Sequence, residues 1–138
     1  MPVGFGFDIH RLVPGRRLML GGVEIPHPFG LLGHSDGDVI LHAVIDALLG
    51  AAGLGDIGQK FPDTDPAYKG ISSELLLSKV AGEIRARWTI VNVDVTVIAE
   101  EPKIAPHREI IEKRIGEQLG ARVTVKGKTH EGLGPIGA

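Results

Sequence analysis

Gly33-His34-Ser35-Asp36-Gly37-Asp38-Val39-Ile40-Leu41-His42-Ala43-Val44-Ile45-Asp46-Ala47-Leu48-Leu49-Gly50 predicts a long buried helix, and the rest of the chain is organised around it. Ser35 followed three places on by Asp38 has the form of a capping box, with Asp in place of the usual Glu. Asp36 and Asp38 suit the positive end of a helix. Val, Ile, Leu and Ala carry the helix to Gly50 or Gly53, either of which ends it in a left-handed turn. Asp38, His42 and Asp46 recur every four residues and stack along one face. The other faces are almost wholly apolar. Two carboxylates and an imidazole are costly to bury unpaired. A metal ion or a polar ligand accounts for the stripe. So does a solvated face, or an imidazole satisfied by a carboxylate.

Upstream, Val3 to Leu12 alternates as a strand does. Phe5, Phe7 and Ile9 fall on one side, and Gly4, Gly6, Asp8 and His10 on the other. Asp8 and His10 project together, with two glycines leaving space before them. Such a D-x-H pair supplies one hard oxygen and one imidazole to a metal, or is simply a polar strand face. Leu18–Leu20 and Val23–Ile25 form a hairpin with a Gly21-Gly22 corner, closed by Pro26-His27-Pro28. Residues 53–66 form a long loop rich in Gly, Pro and Asp, anchored by Leu54, Ile57 and Phe61. Its Asp56, Asp63 and Asp65 suit sugar hydroxyls or Asx turns. Ser72 or Ser73 caps a second helix to about Arg87, with Leu75, Leu76, Val80 and Ile84 inward. A strand is expected over Trp88–Ala99, then a rigid Glu100–Pro106 connector. A helix follows over His107–Leu119, with Ile110, Ile111, Ile115 and Leu119 inward, and a strand over Arg122–Lys128. Thr129–Pro135 turns away. This order gives an α+β class: a small mixed β-sheet with helices packed on one face.

The length of 138 residues fits one domain, with a real core and no large cleft of its own. A net charge of -2 argues against general nucleic-acid binding. There is no cysteine, so any metal is held by His and carboxylate. No apolar run approaches a membrane span and no signal pattern opens the chain, so the expected compartment is cytoplasmic. Asp8, His10 and His42 together make two imidazoles and one carboxylate, a common catalytic zinc set with its fourth position open.

At this point the sequence resembles the 2-C-methyl-D-erythritol 2,4-cyclodiphosphate synthase family of the non-mevalonate isoprenoid pathway. The likeness rests on Gly6–His10, on His34–Asp38 through His42 to Gly50, and on Gly55–Gly58. Phe61–Pro66, Pro102-Lys103, and Thr129 with Glu131 extend it over most of the chain. It implies cyclisation of 4-diphosphocytidyl-2-C-methyl-D-erythritol 2-phosphate with release of CMP. By that likeness Asp8, His10 and His42 hold zinc, and Glu131 holds a second divalent cation, magnesium or manganese. His34 and Ser35 lie near the phosphates and Thr129 supports the transition state. Asp56, Gly58, Phe61 and Asp63 take the methylerythritol end. Lys103, with Ala99 to Pro102, takes phosphates and cytosine. Asp46 orients a ligating imidazole from behind. The likeness also implies a homotrimer with sites between subunits.

Lys128 and His130 stand where many members have Thr. The family usually continues beyond Gly137-Ala138 with an Arg-Gly-Glu-type segment and a final apolar strand, and Ala138 stands where a basic residue is expected. Residues 1–138 are therefore expected to form a single domain of this type lacking that strand. Two other functions fit the same residues. One is a non-catalytic module binding cytidine nucleotide or isoprenoid diphosphate; the other is a zinc phosphohydrolase.

Overall fold

A single carboxylate starts the central helix. Asp38, fully buried, is the N-cap of α1 (Val39–Ala51) and accepts from Leu41 N at 3.1 Å. The same Oδ1 accepts from Gly21 N at 2.9 Å, and Oδ2 from Gly22 N at 2.7 Å. Asp38, not Ser35, therefore caps the helix, and one side chain clamps it to a hairpin. Burial pushes the Asp38 carboxyl up from the usual 3.8 to about 6, with the Gly22, Leu41 and Gly21 amides opposing. That hairpin is β2 (Leu18–Leu20) and β3 (Val23–Ile25), antiparallel as expected. Gly21 and Gly22 both have positive φ, 64° and 82°, the requirement of a tight two-residue turn that matches strand twist.

The computed structural model describes residues 1–137; the expectation at Ala138 falls outside them. In chain order the remaining elements begin with β1 (Leu12–Pro14) and β4 (Phe29–Leu31), which pair antiparallel. After α1 come α2 (Ile57–Lys60) and α3 (Ser73–Arg85). Then follow β5 (Asn92–Ile98), α4 (Arg108–Leu119), β6 (Arg122–Lys128) and the short α5 (Gly134–Gly137). The class is α+β, but the described residues form three two-stranded sheets rather than one. Strands β5 and β6 pair in parallel, Val95 opposite Val125. Val95, Val97, Val123 and Val125 are buried on one face, against which α1 and α4 pack. Helices therefore do cover one face of that sheet.

The core joins Leu41, Ile45 and Leu49 of α1 to Leu77 and Val80 of α3 and to Ile111, Ile115 and Leu119 of α4. Each such side chain contributes roughly 1.5–3 kcal/mol by leaving water. Two expected core residues lie outside: Leu75 and Ile110 are exposed. In α3 the buried set is Ser73, Leu76, Leu77, Val80, Ala81 and Ile84, a stripe one residue out of phase with Leu75. Three consecutive leucines left that phase open.

The largest departure is the first strand. Residues 3–10 are extended and keep the alternation, with Val3, Phe5, Phe7 and Ile9 exposed. Yet among the described residues they enter no sheet, and the polar side, not the apolar one, faces the helix. The glycines explain this. A Cβ on Gly4 would lie 1.8 Å from the Ala47 carbonyl oxygen, and one on Gly6 1.9 Å from that of Ala43. Bare backbone lies directly on α1. Among the described residues no helix is long and apolar enough to cross a membrane.

Asp38→Asn places an NH2 against one of three backbone donors. It is expected to cost about 1–3 kcal/mol in denaturant unfolding, because a buried donor loses its partner. An unchanged midpoint contradicts the clamp.

Candidate metal centre and phosphate cavity

The close approach at Gly6 sets Asp8 and His10 beside the first turn of α1, where His42 emerges. Asp8 Oδ2 lies 2.8 Å from His10 Nε2 and 3.1 Å from His42 Nδ1; the two nitrogens are 3.2 Å apart. One ligand atom from each residue thus meets the others. Tetrahedral coordination with bonds of about 2.0–2.1 Å separates its donors by about 3.3 Å, so a few tenths of an ångström of widening admits a cation. Burial raises the Asp8 carboxyl, but the His10 and His42 imidazoles set against it outweigh burial and hold the group at about 2. The bond to Asp8 raises His10 above the usual 6.5, against an opposing effect of burial.

The far side of each imidazole is spoken for. His10 Nδ1 lies 2.6 Å from the Leu32 carbonyl, which can only accept, so in the neutral ring Nδ1 carries the proton and Nε2 turns a lone pair to the cluster. His42 Nε2 lies 2.9 Å from Ser73 Oγ and 3.1 Å from Ser35 Oγ. Backing of this kind orients metal-bound imidazoles. The donor set, two imidazoles and an ionised carboxylate, fits a borderline cation such as zinc. Asp46 does not supply the backing expected of it. It accepts from Ile57 N at 2.8 Å and so anchors the start of α2. The Ser35 hydroxyl, expected at phosphates, is instead buried on His42.

A second group of residues surrounds a cavity of about 310 Å³. Ala99, Pro102, Lys103, Thr129 and Glu131, five of the expected site residues, line it. Arg108 and Lys128 also line it and add two cations. Thr129 Oγ1 donates to Glu131 Oε1 at 3.2 Å and accepts from Glu131 N. Glu131 adopts a φ of 55°, unusual for a residue with a side chain. No residue of the metal cluster lines this cavity.

The remaining residues lie in the connecting loops. Asp56 caps α2 through Gln59 N, with Gly58 and Asp63 exposed nearby in sequence. Phe61 is a core residue, its ring edge-on to Tyr68 at 5.3 Å, so its side chain is not free for a substrate. His34 Nε2 lies 3.2 Å from the Asp65 carbonyl. Sequence reasoning passed over Arg16, which donates to the Ser35 carbonyl at 3.1 Å, and the pairing of Ser73 with Asp36. Ser73 carried only a capping signal, and the cap is Ser72.

Comparison with known proteins places this geometry. The family model of the YgbB family matches residues 1–138. The 2-C-methyl-D-erythritol 2,4-cyclodiphosphate synthase of Syntrophomonas wolfei is 60% identical over 99% of this chain and 90% of its own. The chain belongs to this synthase family. It is accordingly an enzyme of the lyase class to which those synthases belong. A CDP-bound synthase structure superposes with a TM-score of 0.88 at 42% identity, over 97% of this chain and 92% of that one. The bifunctional IspDF of Campylobacter jejuni gives 0.92 at 41% identity; 99% of this chain corresponds to 38% of that chain.

Two outcomes follow for a family member built this way. Gly6→Ala, which removes no donor atom, is expected to displace residues 6–10 from α1 and weaken zinc binding by at least about tenfold in chelator competition, since losing such support costs about 10–100-fold. Wild-type affinity in that variant contradicts the account. Proton and cation compete for the His10 Nε2 lone pair, so affinity falls as pH drops through the raised His10 value and levels off above it. A profile flat across neutral pH contradicts this.

Proposed function

We propose that this enzyme converts 4-diphosphocytidyl-2-C-methyl-D-erythritol 2-phosphate to 2-C-methyl-D-erythritol 2,4-cyclodiphosphate with release of CMP. The observation that carries the reading is the meeting of Asp8, His10 and His42 donor atoms at one point in a chain of this family. An oxygen of the 2-phosphate attacks the β-phosphorus of the same molecule. The bond from that phosphorus to the bridging oxygen breaks, and its electron pair leaves with CMP. No protein nucleophile takes part. Holding the two ends together supplies roughly 7–11 kcal/mol of the barrier in well-oriented intramolecular reactions.

The remaining obstacle is the approach of two anions. Zinc at Asp8, His10 and His42, and magnesium or manganese at Glu131, would supply charge that stabilises the phosphate oxygens. Lys103, with Arg108 and Lys128 on the same cavity, neutralises phosphate charge that a chain of net -2 cannot offset globally. The backbone of Ala99 to Pro102 takes the cytosine. Asp56, Gly58 and Asp63 take the methylerythritol hydroxyls, while Phe61 holds their loop from the core. His34 and Thr129 face the developing charge.

The same reading makes the enzyme a cytoplasmic homotrimer with sites between neighbouring copies. Two observations support a second copy. The metal cluster and the phosphate cavity share no residue. Val3, Phe5, Phe7 and Ile9 also present an apolar row to solvent, Phe5 at 85% exposure.

Incubation of the substrate with protein, zinc and magnesium, followed by phosphorus NMR, is expected to give CMP and cyclic diphosphate in equal amounts. A chelator or His42→Ala abolishes both. Inorganic phosphate in place of the cyclic product would identify a phosphohydrolase, and cytidine nucleotide binding with no turnover a binding module. Sedimentation equilibrium is expected to give three copies; a monomer that retains turnover removes the shared-site reading.

A further inference from the structure

The contacts behind His42 determine where its proton resides. Ser73 is the first residue of α3 and is wholly buried. Both of its donors go to the Asp36 carboxylate, the backbone N–H to Oδ2 at 3.0 Å and the hydroxyl to Oδ1. Oδ1 of Asp36 also accepts from Asp38 N at 3.1 Å. A carboxylate only accepts, so the Ser73 hydroxyl proton is committed to Asp36. The Ser73 oxygen therefore has only lone pairs to offer His42 Nε2, 2.9 Å away. Ser35 Oγ, 3.1 Å from the same nitrogen, accepts from Gly37 N at 3.4 Å and lies 3.5 Å from Ser73 Oγ, which takes the Ser35 proton and leaves a lone pair for Nε2.

We propose that Asp36 and Ser73 are positioning residues that fix His42 as the Nε2–H tautomer and so present its Nδ1 lone pair to Asp8 and His10. The order of proton donation runs in one direction: His42 Nε2–H to Ser73 Oγ, and Ser73 Oγ–H to Asp36. Nδ1 is left without a proton, 3.1 Å from Asp8 Oδ2 and 3.2 Å from His10 Nε2. Three electron-rich atoms then face one another, an arrangement that a cation relieves. The carboxylate thus acts on the cluster through a hydroxyl and a ring, without touching the cation. It also ties the loop before α1 to the start of α3, so the packing of these two helices and the orientation of the ligand are set by the same group.

Asp36→Ala separates this role from a general structural one. Alanine removes both acceptors from Ser73, whereas an asparagine keeping its oxygen at the Oδ1 position would still accept from the hydroxyl. In the alanine variant the hydroxyl is released to donate to His42 Nε2, and the ring proton moves to Nδ1, where it blocks the cation. The proposal rests on the metal-site reading, but its first test needs no metal. In metal-free protein labelled with 15N-histidine, long-range proton–nitrogen correlation at alkaline pH reads the tautomer of each neutral ring directly. Wild type is expected to show His42 as Nε2–H, Asp36→Ala as Nδ1–H, and Ser73→Ala as a mixture. Ser73→Thr, which keeps the hydroxyl, restores Nε2–H.

Zinc alone, titrated against a chromophoric chelator, is expected to bind about 10–100-fold more weakly to Asp36→Ala than to wild type, with Ser73→Thr close to wild type. Nδ1–H in the wild type, or an unshifted tautomer in folded Asp36→Ala, overturns the proposal. Zinc affinity within about twofold of wild type in Asp36→Ala overturns it as well, the threshold lying well below the loss that such support normally carries. A wild type that shows the Nε2–H tautomer but binds no zinc sinks the metal-site reading and leaves the orientation of His42 established.

Discussion

Direct contact between bare backbone and helix backbone governs this structure. Gly4 and Gly6 lie against the carbonyls of Ala47 and Ala43 so closely that no side chain fits between. That approach does for an extended segment what sheet pairing does elsewhere, and it fixes distance and rotation together. Once Gly6 is seated, the alternation of an extended chain points Asp8 and His10 at the helix. Helix α1 must in turn be held at the right height. The buried carboxylate of Asp38 does this by gripping the hairpin corner and the first turn with three hydrogen bonds. A glycine contact on one side and a carboxylate clamp on the other thus locate His42 to within hydrogen-bonding distance of its partners.

The polar groups of the centre are arranged by the same economy. Every ring nitrogen pointing away from the cluster meets a carbonyl or a hydroxyl, and every one pointing inward meets another electron-rich atom. In a partly buried setting this mutual repulsion is costly unless a proton or cation stands among the three donors. Without a cation His10 supplies that proton, held more tightly than usual on its bond to Asp8, and the same bond helps keep Asp8 ionised to about 2. Site and scaffold are not separable here, because the groups that orient the imidazoles also join the N-terminal segment and α3 to the loop before α1.

Periodicity made much of this legible. The heptad-like apolar run of α1, the Gly21-Gly22 corner and the alternating valines of β5 each obey one dominant local rule. Asp8, His10 and His42 were legible as a set because the donor types match a known chemistry. The failures share a cause: they depend on contacts distant in sequence. An unpaired strand and a paired one have the same alternation, so residues 3–10 gave no sign of lacking a sheet. Phe-Gly-Leu of β4 is too short to show a period. Asp46 sits one helical turn beyond His42 and so seemed its partner, but α2 takes that carboxylate. Ser73 resembled an ordinary cap, since nothing local says that its hydroxyl is fully buried.

The segment before β1 carries two of the three donors, yet among the described residues its first ten residues make no backbone hydrogen bond to any neighbour. Its amides are therefore the first expected to exchange with solvent, since the free energy of local opening falls where ladder bonds are missing. Each opening dismantles the centre without unfolding the core. Occupancy and order of this arm are then two readings of one equilibrium: a bound ion slows exchange across residues 3–10 by the same factor by which a loosened arm weakens the ion.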